Sequence, residues 1–398
     1  MENNSLITQG IHYVGAQDRR THLFEGLWTL PYGVSYNSYL IVDEKIALVD
    51  SVEVGFFANS LRQIKRIIGD RPIDYLIINH MEPDHSSSIA LLKQYYPDMI
   101  VVGNAKTFGM LEGFYGVEGK QEVVKTGSQL CLGSRTLEFY LTPMLHWPET
   151  MMTYDAFTKT LFSGDAFGCF GALNGGIVDH QMKIDHYLEE AVRYYSNIVA
   201  KYGAQVQRAL KSLADIDIQY ICTLHGPVWH EQIPFMVDLY NKLSLGKAEE
   251  GVVILYGSMY GNTEEMAEEL ARELACNGVK NIKMHNVSSA SPSHMLADVY
   301  RYNGLIIGSP TYNMQLYPEV EAMVSRLKHR GLKNRHFGFF GSFSWAGAAV
   351  KHLTAFAEGM KISVVGDPIE MKQSMTEANR KEVARLAVEM AEAIKNPF

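Results

Sequence analysis

The first half of the chain alternates short apolar runs with amphipathic stretches and polar loops. Residues 39–42 (YLIV) and 46–49 (IALV) have the length and composition of buried strands, and 57–68 (FANSLRQIKRII) spaces its apolar residues as a helix does. Residues 73–79 (IDYLIIN) predict a further buried strand, and the polar run 80–88 follows it at once. Two more predicted strands end in the same way: 160–163 runs into Gly164-Asp165, and 220–224 into His225-Gly226-Pro227. Polar side chains at the ends of neighbouring strands can converge on one rim of a sheet.

From residue 252 the pattern resets to a regular alternation. Strands are predicted over 252–255, 282–285, 305–307, 337–340 and 362–365, with a helix from about Thr263 and a final helix to about Ala393. Five strands with intervening helices predict a doubly wound parallel sheet. The stretch 243–251 (LSLGKAEEG) is charged and lacks an apolar face beyond its first part, so the linker is placed there, giving domains over 1–248 and 249–398. A chain of 398 residues exceeds what one core usually organises, in keeping with that division.

Composition narrows the class. Hydrophobic residues make up 47% and charged residues 20%, and 36 Lys and Arg against 44 Asp and Glu give a net charge of −8. That balance argues against wrapping nucleic acid or resting on anionic lipid, and suits small-molecule chemistry or a small protein partner. Met1 to Gly10 lacks the basic segment and apolar run of a signal peptide, and no apolar stretch reaches the length of a membrane span, so a cytoplasmic protein is expected. Cys131, Cys169, Cys222 and Cys276 are far apart in sequence and are read as reduced structural thiols.

The densest local signal is His80-Met81-Glu82-Pro83-Asp84-His85, four potential metal ligands within six residues directly after a strand. Imidazole nitrogen and carboxylate oxygen suit Zn, Mn and Fe, and an irregular loop lets adjacent side chains point to two metals. His146, Asp165 and His225 each stand at a predicted strand end or tight turn. The other histidines, including His12, His22, His180, His186, His230, His285 and His336, have no partner at ligand spacing and are read as surface or packing residues.

In the second half, strand 252–255 leads into Tyr256-Gly257-Ser258-Met259-Tyr260-Gly261-Asn262-Thr263 and then into a helix. A loop of small and hydroxyl residues at a helix N-terminus offers backbone N–H groups and the positive end of the helix dipole to a phosphate. It lacks the Gly-Lys-Ser/Thr ending of a triphosphate loop and the Gly-x-Gly-x-x-Gly of a dinucleotide fingerprint, which leaves a terminal monophosphate. Two later loops, Ser309-Pro310-Thr311-Tyr312-Asn313 and Ser342-Phe343-Ser344-Trp345-Ala346-Gly347, end the third and fourth strands, where the ligand crevice of such a fold lies.

The order of ligands in the first half resembles the His-x-His-x-Asp-His motif, lone His, bridging Asp and final His of the metallo-β-lactamase superfamily, with Glu82 in place of the second His. That variant is the pattern of the flavodiiron proteins, which the chain resembles over nearly its whole length. The resemblance implies a metallo-β-lactamase-like αββα sandwich (α+β) followed by a flavodoxin-like α/β domain. It implies a di-iron site with a bridging oxo or hydroxo group: His80, Glu82 and His146 on one iron, Asp84, His85 and His225 on the other, Asp165 between them. In some relatives the histidine matching His85 is turned away. Replacing a neutral imidazole by Glu82 makes the site harder and favours iron over zinc. Two ferrous ions, three carboxylates and one hydroxide sum to a neutral site that can stay buried.

The same resemblance implies FMN, with Ser258, Asn262 and Thr263 on its phosphate and Tyr312 and Trp345 flanking the isoalloxazine; relatives often have Gly where Ser344 and Ala346 stand. It also implies a tyrosine near the metals, for which Tyr195 is the candidate. The implied activity is reduction of O2 to water, of NO to N2O, or of both. Four electrons are needed for the first, which a ferrous pair and a flavin hydroquinone hold between them. The chain lacks a rubredoxin-type cysteine set and an NAD fingerprint, so electrons come from outside, from a rubredoxin-like protein or reduced coenzyme F420. Family members bring flavin and irons together as head-to-tail dimers, so a homodimer or homotetramer is expected. Two other classes share part of the pattern. A zinc hydrolase tethered to a flavodoxin is opposed by Glu82, and a pure electron carrier leaves the His/Asp/Glu set unexplained.

Overall fold

The computed structural model describes residues 5–396 and 398. It divides into two compact units, Met1–Asn241 and Lys242–Phe398. In the first unit two sheets face each other. The larger has seven strands in the order Leu6–Thr8, Ile11–Tyr13, Tyr39–Val42, Ile46–Val49, Tyr75–Ile77, Ile100–Gly103 and Gln121–Val123. The smaller has five: Gln129–Cys131, Thr136–Leu141, Met151–Asp155, Thr160–Gly164 and Tyr220–Thr223.

The alternation of a strand explains the layering. Along Tyr39–Val42, Leu40 joins the core beneath helix Phe57–Ile68, while the ring of Tyr39 points the other way and meets Phe162 of the smaller sheet at 5.5 Å. The helix buries Phe57, Leu61, Ile64 and Ile68 on one stripe and ends at Gly69, whose φ of 61° lies in the left-handed region open to glycine. On the outer side of the smaller sheet, Gln205 and Ala209 of helix Gly203–Ser212 share a cavity with Tyr140 and Leu141. The layers are therefore helix, sheet, sheet, helix.

In the second unit the sheet order is Ile282–Asn286, Glu249–Tyr256, Tyr302–Pro310, His336–Phe343, every neighbouring pair parallel. The fifth position differs from the sequence reading of one strand over 362–365. Two short strands, Ser363–Val364 and Ile369–Lys372, both pair with His336–Phe343 there, giving a six-stranded sheet. Gly366 at a φ of 68° turns the chain, and Pro368, lacking an N–H, cannot donate to the ladder. Helices Asn262–Cys276 and Glu377–Ala393 close one face over Ile254, Ile306 and Phe340.

The connection between units is shorter than the charged stretch suggested. Helix Ile233–Ser244 and strand Glu249–Tyr256 reach into it from both sides and leave 245–248 between them. Buried Arg335 holds part of this connection, donating to the carbonyl of Gly246 at 3.1 Å. Among the described residues no helix is long and apolar enough to cross a membrane.

Candidate metal centre and flavin crevice

Each expected ligand stands just beyond a strand, on the same rim of the two facing sheets. The polar run 80–88 is less irregular than the sequence suggested. Pro83, fixed in φ at a first helical position, opens one turn of helix over Pro83–Ser86. That turn sends His85 inward, fully buried, and leaves Asp84 with a partly exposed edge. The base of the loop is tied down by Asp50, whose Oδ1 accepts the N–H groups of Asn79 and His80 at 2.8 and 3.2 Å. Burial pushes the Asp50 carboxyl up to about 7 against the pull of those bonds.

The expected ligands fall into two groups, His80, Glu82, His146 and Asp165, and Asp84, His85 and His225; within each, all donor atoms lie within 4.8 Å of one another. Asp165 faces both. Its Oδ2 is 2.9 Å from His146 Nε2 and 3.4 Å from His80 Nε2, and its Oδ1 is 3.5 Å from His85 Nε2 and 3.7 Å from His225 Nε2. His85, turned away in some relatives, is turned in here.

The donor chemistry fits cations. Nδ1 of His80 donates to Glu149 at 2.8 Å and Nδ1 of His225 donates to the carbonyl of Ser35 at 2.7 Å, so in the neutral rings each Nε2 carries a lone pair. Those lone pairs face other acceptors: His80 Nε2 is 3.2 Å from the Glu82 carboxylate, and His225 Nε2 is 2.9 Å from His85 Nε2. Both oxygens of Asp84 and Oδ1 of Asp165 are buried with no hydrogen-bond partner. Acceptors gathered in this way need positive charge between them.

Burial opposes charge on Glu82, but hydrogen bonds from His146 and His80 hold its carboxyl down at about 2. Burial likewise opposes protonation of His146, and its contacts with Asp165 and Glu82 lift it to about 9. In the second group burial drives His85 down to about 4, whereas His225, though burial opposes its protonation, is raised by Asp84 and Asp165. These shifts mark a site built for cations.

Some of the surroundings were invisible in the sequence. Glu149 accepts from both His80 Nδ1 and the Met81 N–H, the latter at 2.9 Å, and thereby sets the His80 tautomer. Asn104 in turn donates to the Glu149 carbonyl. An aromatic wall adjoins the site: Phe24 stands edge-on to His225 at 5.1 Å, Trp147 to His80 at 5.4 Å, and Tyr36 to His225 at 6.1 Å. On the helix expected to bring a tyrosine near the metals, the ring of Tyr194 lies 5.7 Å from that of His225. The ring of Tyr195 packs edge-on to Tyr240 at 4.9 Å instead. At Tyr195 the α-helix Asp185–Tyr194 widens into the π-helical turn Tyr195–Val199, and this changes which side chains face inward.

In the second unit, Gly261 adopts a φ of 95° just before helix Asn262–Cys276 and leaves the helix's first N–H groups open to an anion. Ser258 Oγ accepts the Gly261 N–H at 3.1 Å, and Thr263 Oγ1 meets Ser342 Oγ at 2.8 Å, tying two of the three expected loops together. Ser258, Met259, Tyr260, Asn262, Thr263, Pro310, Thr311, Ser342, Phe343 and Ser344 line one small cavity, which Gln373, absent from the sequence reading, completes. Trp345 is 89% exposed and Tyr312 43%, large planar surfaces with little covering them. Asn313, at a φ of 48°, occupies a tight turn closed by hydrogen bonds between Tyr312 and Gln315. Ser309 is turned inward, where its hydroxyl accepts from the N–H of Tyr317 at 3.0 Å. Ala346 and Gly347 lie outside the cavity's lining, beside Trp345. A cradle of N–H and hydroxyl groups with exposed rings beside it fits a flavin mononucleotide.

Comparison with known proteins gives a consistent picture. Residues 34–226 match the model of the ODP family beta lactamase, and 254–385 that of flavodoxin. The chain is 34% identical to the rubredoxin-oxygen oxidoreductase of Megalodesulfovibrio gigas, covering 98% of each chain. It is 31% identical to the nitric oxide reductase of Moorella thermoacetica, over 92% of this chain and 93% of that one. A crystal structure of the flavodiiron protein from Giardia intestinalis superposes with a TM-score of 0.93 at 28% identity, covering 98% of this chain and 96% of that one.

Proposed function

The chain belongs to the flavodiiron family, and from that membership we propose that it is an oxidoreductase that reduces dioxygen to water, nitric oxide to nitrous oxide, or both. The observation that carries this reading is the pair of ligand groups facing the two oxygens of Asp165. In this reading His80, Glu82 and His146 hold one iron, Asp84, His85 and His225 the other, and Asp165 spans both. When bound, the two irons and an FMN supply between them the electrons that either reduction needs.

The chain's own residues do the rest. Glu149 and the Ser35 carbonyl orient two of the imidazoles, and Phe24, Tyr36 and Trp147 present apolar surface to the ligand histidines. Three carboxylates among seven ligands favour iron over a softer ion. In the second half, Ser258, Asn262 and Thr263 take the FMN phosphate, while Tyr312 and Trp345 flank the ring. Electrons are read as coming from a rubredoxin-like protein, in keeping with the name of the Megalodesulfovibrio relative, with reduced F420 as the other family donor. A head-to-tail homodimer, or a homotetramer made of two such dimers, in the cytoplasm completes the reading. The test is Asp165→Ala in anaerobically prepared, iron-loaded protein: consumption of both gases is lost while flavin absorbance stays. Continued gas consumption by that variant overturns the proposal.

A further inference from the structure

A cavity of about 510 Å³ opens in the first unit between strand Ala16–Asp18, helix Phe57–Ile68 and the loop 173–177. Its lining includes none of the metal ligands and none of the flavin loops. Phe56, one of its walls, packs against Tyr36 at 5.7 Å, and the ring of Tyr36 lies 6.4 Å from His85 and 6.1 Å from His225. Two aromatic rings thus separate the cavity from the nearest ligand histidines. Its volume falls within the range of small-molecule sites, roughly 300–1,000 Å³.

The walls are tied in place by their own hydrogen bonds. Gln17 Nε2 donates to the Tyr13 hydroxyl at 2.7 Å, and Gln17 Oε1 accepts the Leu173 N–H at 2.5 Å. Gln63 Nε2 donates to the Gly15 carbonyl at 3.0 Å and so joins helix to strand. A cavity fixed in this way loses little freedom when a ligand enters.

Its charges are one-sided. Arg66 lines the cavity, and its guanidinium has no hydrogen-bond or ion-pair partner among the described residues. Two more guanidinium groups reach the walls: Arg19 donates to the Leu173 carbonyl at 2.9 Å, and Arg20 lies 5.1 Å over the Phe56 ring. No acidic residue is among those lining the cavity. Asp18 and Glu53, adjacent in sequence to its walls, accept backbone N–H groups instead, of Arg20 and Thr21 and of Gly55. In a chain of net charge −8, three arginines around a cavity without a lining carboxylate make a local field that draws anions. The remaining wall is apolar, formed by Phe56, Ile67 and Ile177.

We propose that this cavity is a second ligand site, for a small organic anion whose carboxylate or phosphate meets Arg66 and whose apolar body lies against Phe56, Ile67 and Ile177. A guanidinium offers either anion a pair of parallel N–H donors, and the apolar wall excludes inorganic ions as the best fit. The inference does not depend on the function proposed above.

The test is calorimetric titration of the full chain, loaded with iron and FMN, with benzoate, phenyl phosphate and benzylamine in turn. At least one of the two anions is expected to bind, the tighter of them showing whether the site takes carboxylates or phosphates, and benzylamine is expected not to bind. Arg66 is exposed, so its replacement should leave the fold intact. Arg66→Gln is expected to weaken the anion about 10-fold or more, the worth of a hydrogen bond to a charged group, and Arg66→Glu to abolish binding. Ile177→Trp, which fills the cavity with an indole, is expected to abolish it too. Failure of both anions to bind overturns the inference, as does benzylamine binding as tightly as they do. Anion binding that is unchanged in Arg66→Glu places the anion elsewhere, at the irons for example, and overturns it equally.

Discussion

Replacing Glu149 by alanine removes both bonds that orient His80, at 2.8 Å to its Nδ1 and 2.9 Å to the Met81 N–H. Burial disfavours the carboxylate, but the His80 bond, the charge of His80 and the Met81 N–H together hold its pKa below the ordinary value, so the two bonds are made by a charged acceptor. In alanine's place the Met81 N–H stays buried without a partner, at about 1–3 kcal/mol, and His80 is free to adopt the other tautomer. Loss of a carboxylate behind a metal-bound histidine typically weakens metal binding 10–100-fold, about 1.4–2.8 kcal/mol. Glutamine separates the two contributions. Oε1 alone accepts both bonds, and Oε2 is buried without a partner. An amide oxygen can therefore replace Oε1 as a weaker acceptor, while its NH2 is buried where Oε2 was. The expected order of iron affinity is parent, then Glu149→Gln, then Glu149→Ala, read from iron retained during dialysis against graded concentrations of a competing chelator. If Glu149→Ala holds iron as tightly as the parent, the argument that Glu149 sets the His80 tautomer is wrong.

Removing the metals should act on one unit alone. At a free-ion concentration 1,000 times the dissociation constant, binding adds about 4 kcal/mol, so chelation is expected to lower the first unit's melting temperature by roughly 10 °C. The transition that releases flavin should not move, and an equal shift in both would contradict the division of sites between the units. Arg335 offers a test in the second unit: it is buried, and its five hydrogen bonds all go to carbonyl oxygens, of Val299, Tyr300, Gly246, Lys333 and Asn334. Lysine has three donors, so Arg335→Lys leaves carbonyls unmet and is expected to cost about 2 kcal/mol or more. Calorimetric melting of the second unit at the parent's temperature would refute that accounting.

The candidate ligand groups were legible because their members stand at strand ends or tight turns, and because His80, Glu82, Asp84 and His85 stand too close together for chance. The phosphate loop was legible for a similar reason, small and hydroxyl residues between a strand and a helix. Asp50 and Glu149 carried no such mark. Each is one carboxylate among many, brought to the site by packing between sheets rather than by spacing. The double fifth strand was hidden because Gly366 and Pro368 interrupt the run and its second half, Ile369–Lys372, alternates apolar with charged residues over only four positions. Tyr194 and Tyr195 adjoin each other on one helical stretch, and sequence alone does not say which ring meets His225.

That wide turn at Tyr195–Val199 holds one residue more than an ordinary helix would need over the same rise. Deleting a single residue there would let the backbone hydrogen bonds close normally and could even steady the helix. Because the extra residue is taken up within that turn, the segments on either side would keep their phase, and what would be lost is the placement of the turn's own side chains, among them Tyr195 against Tyr240. The looser winding thus lets one helical rod carry an added side chain to a wall of its own without turning its two ends.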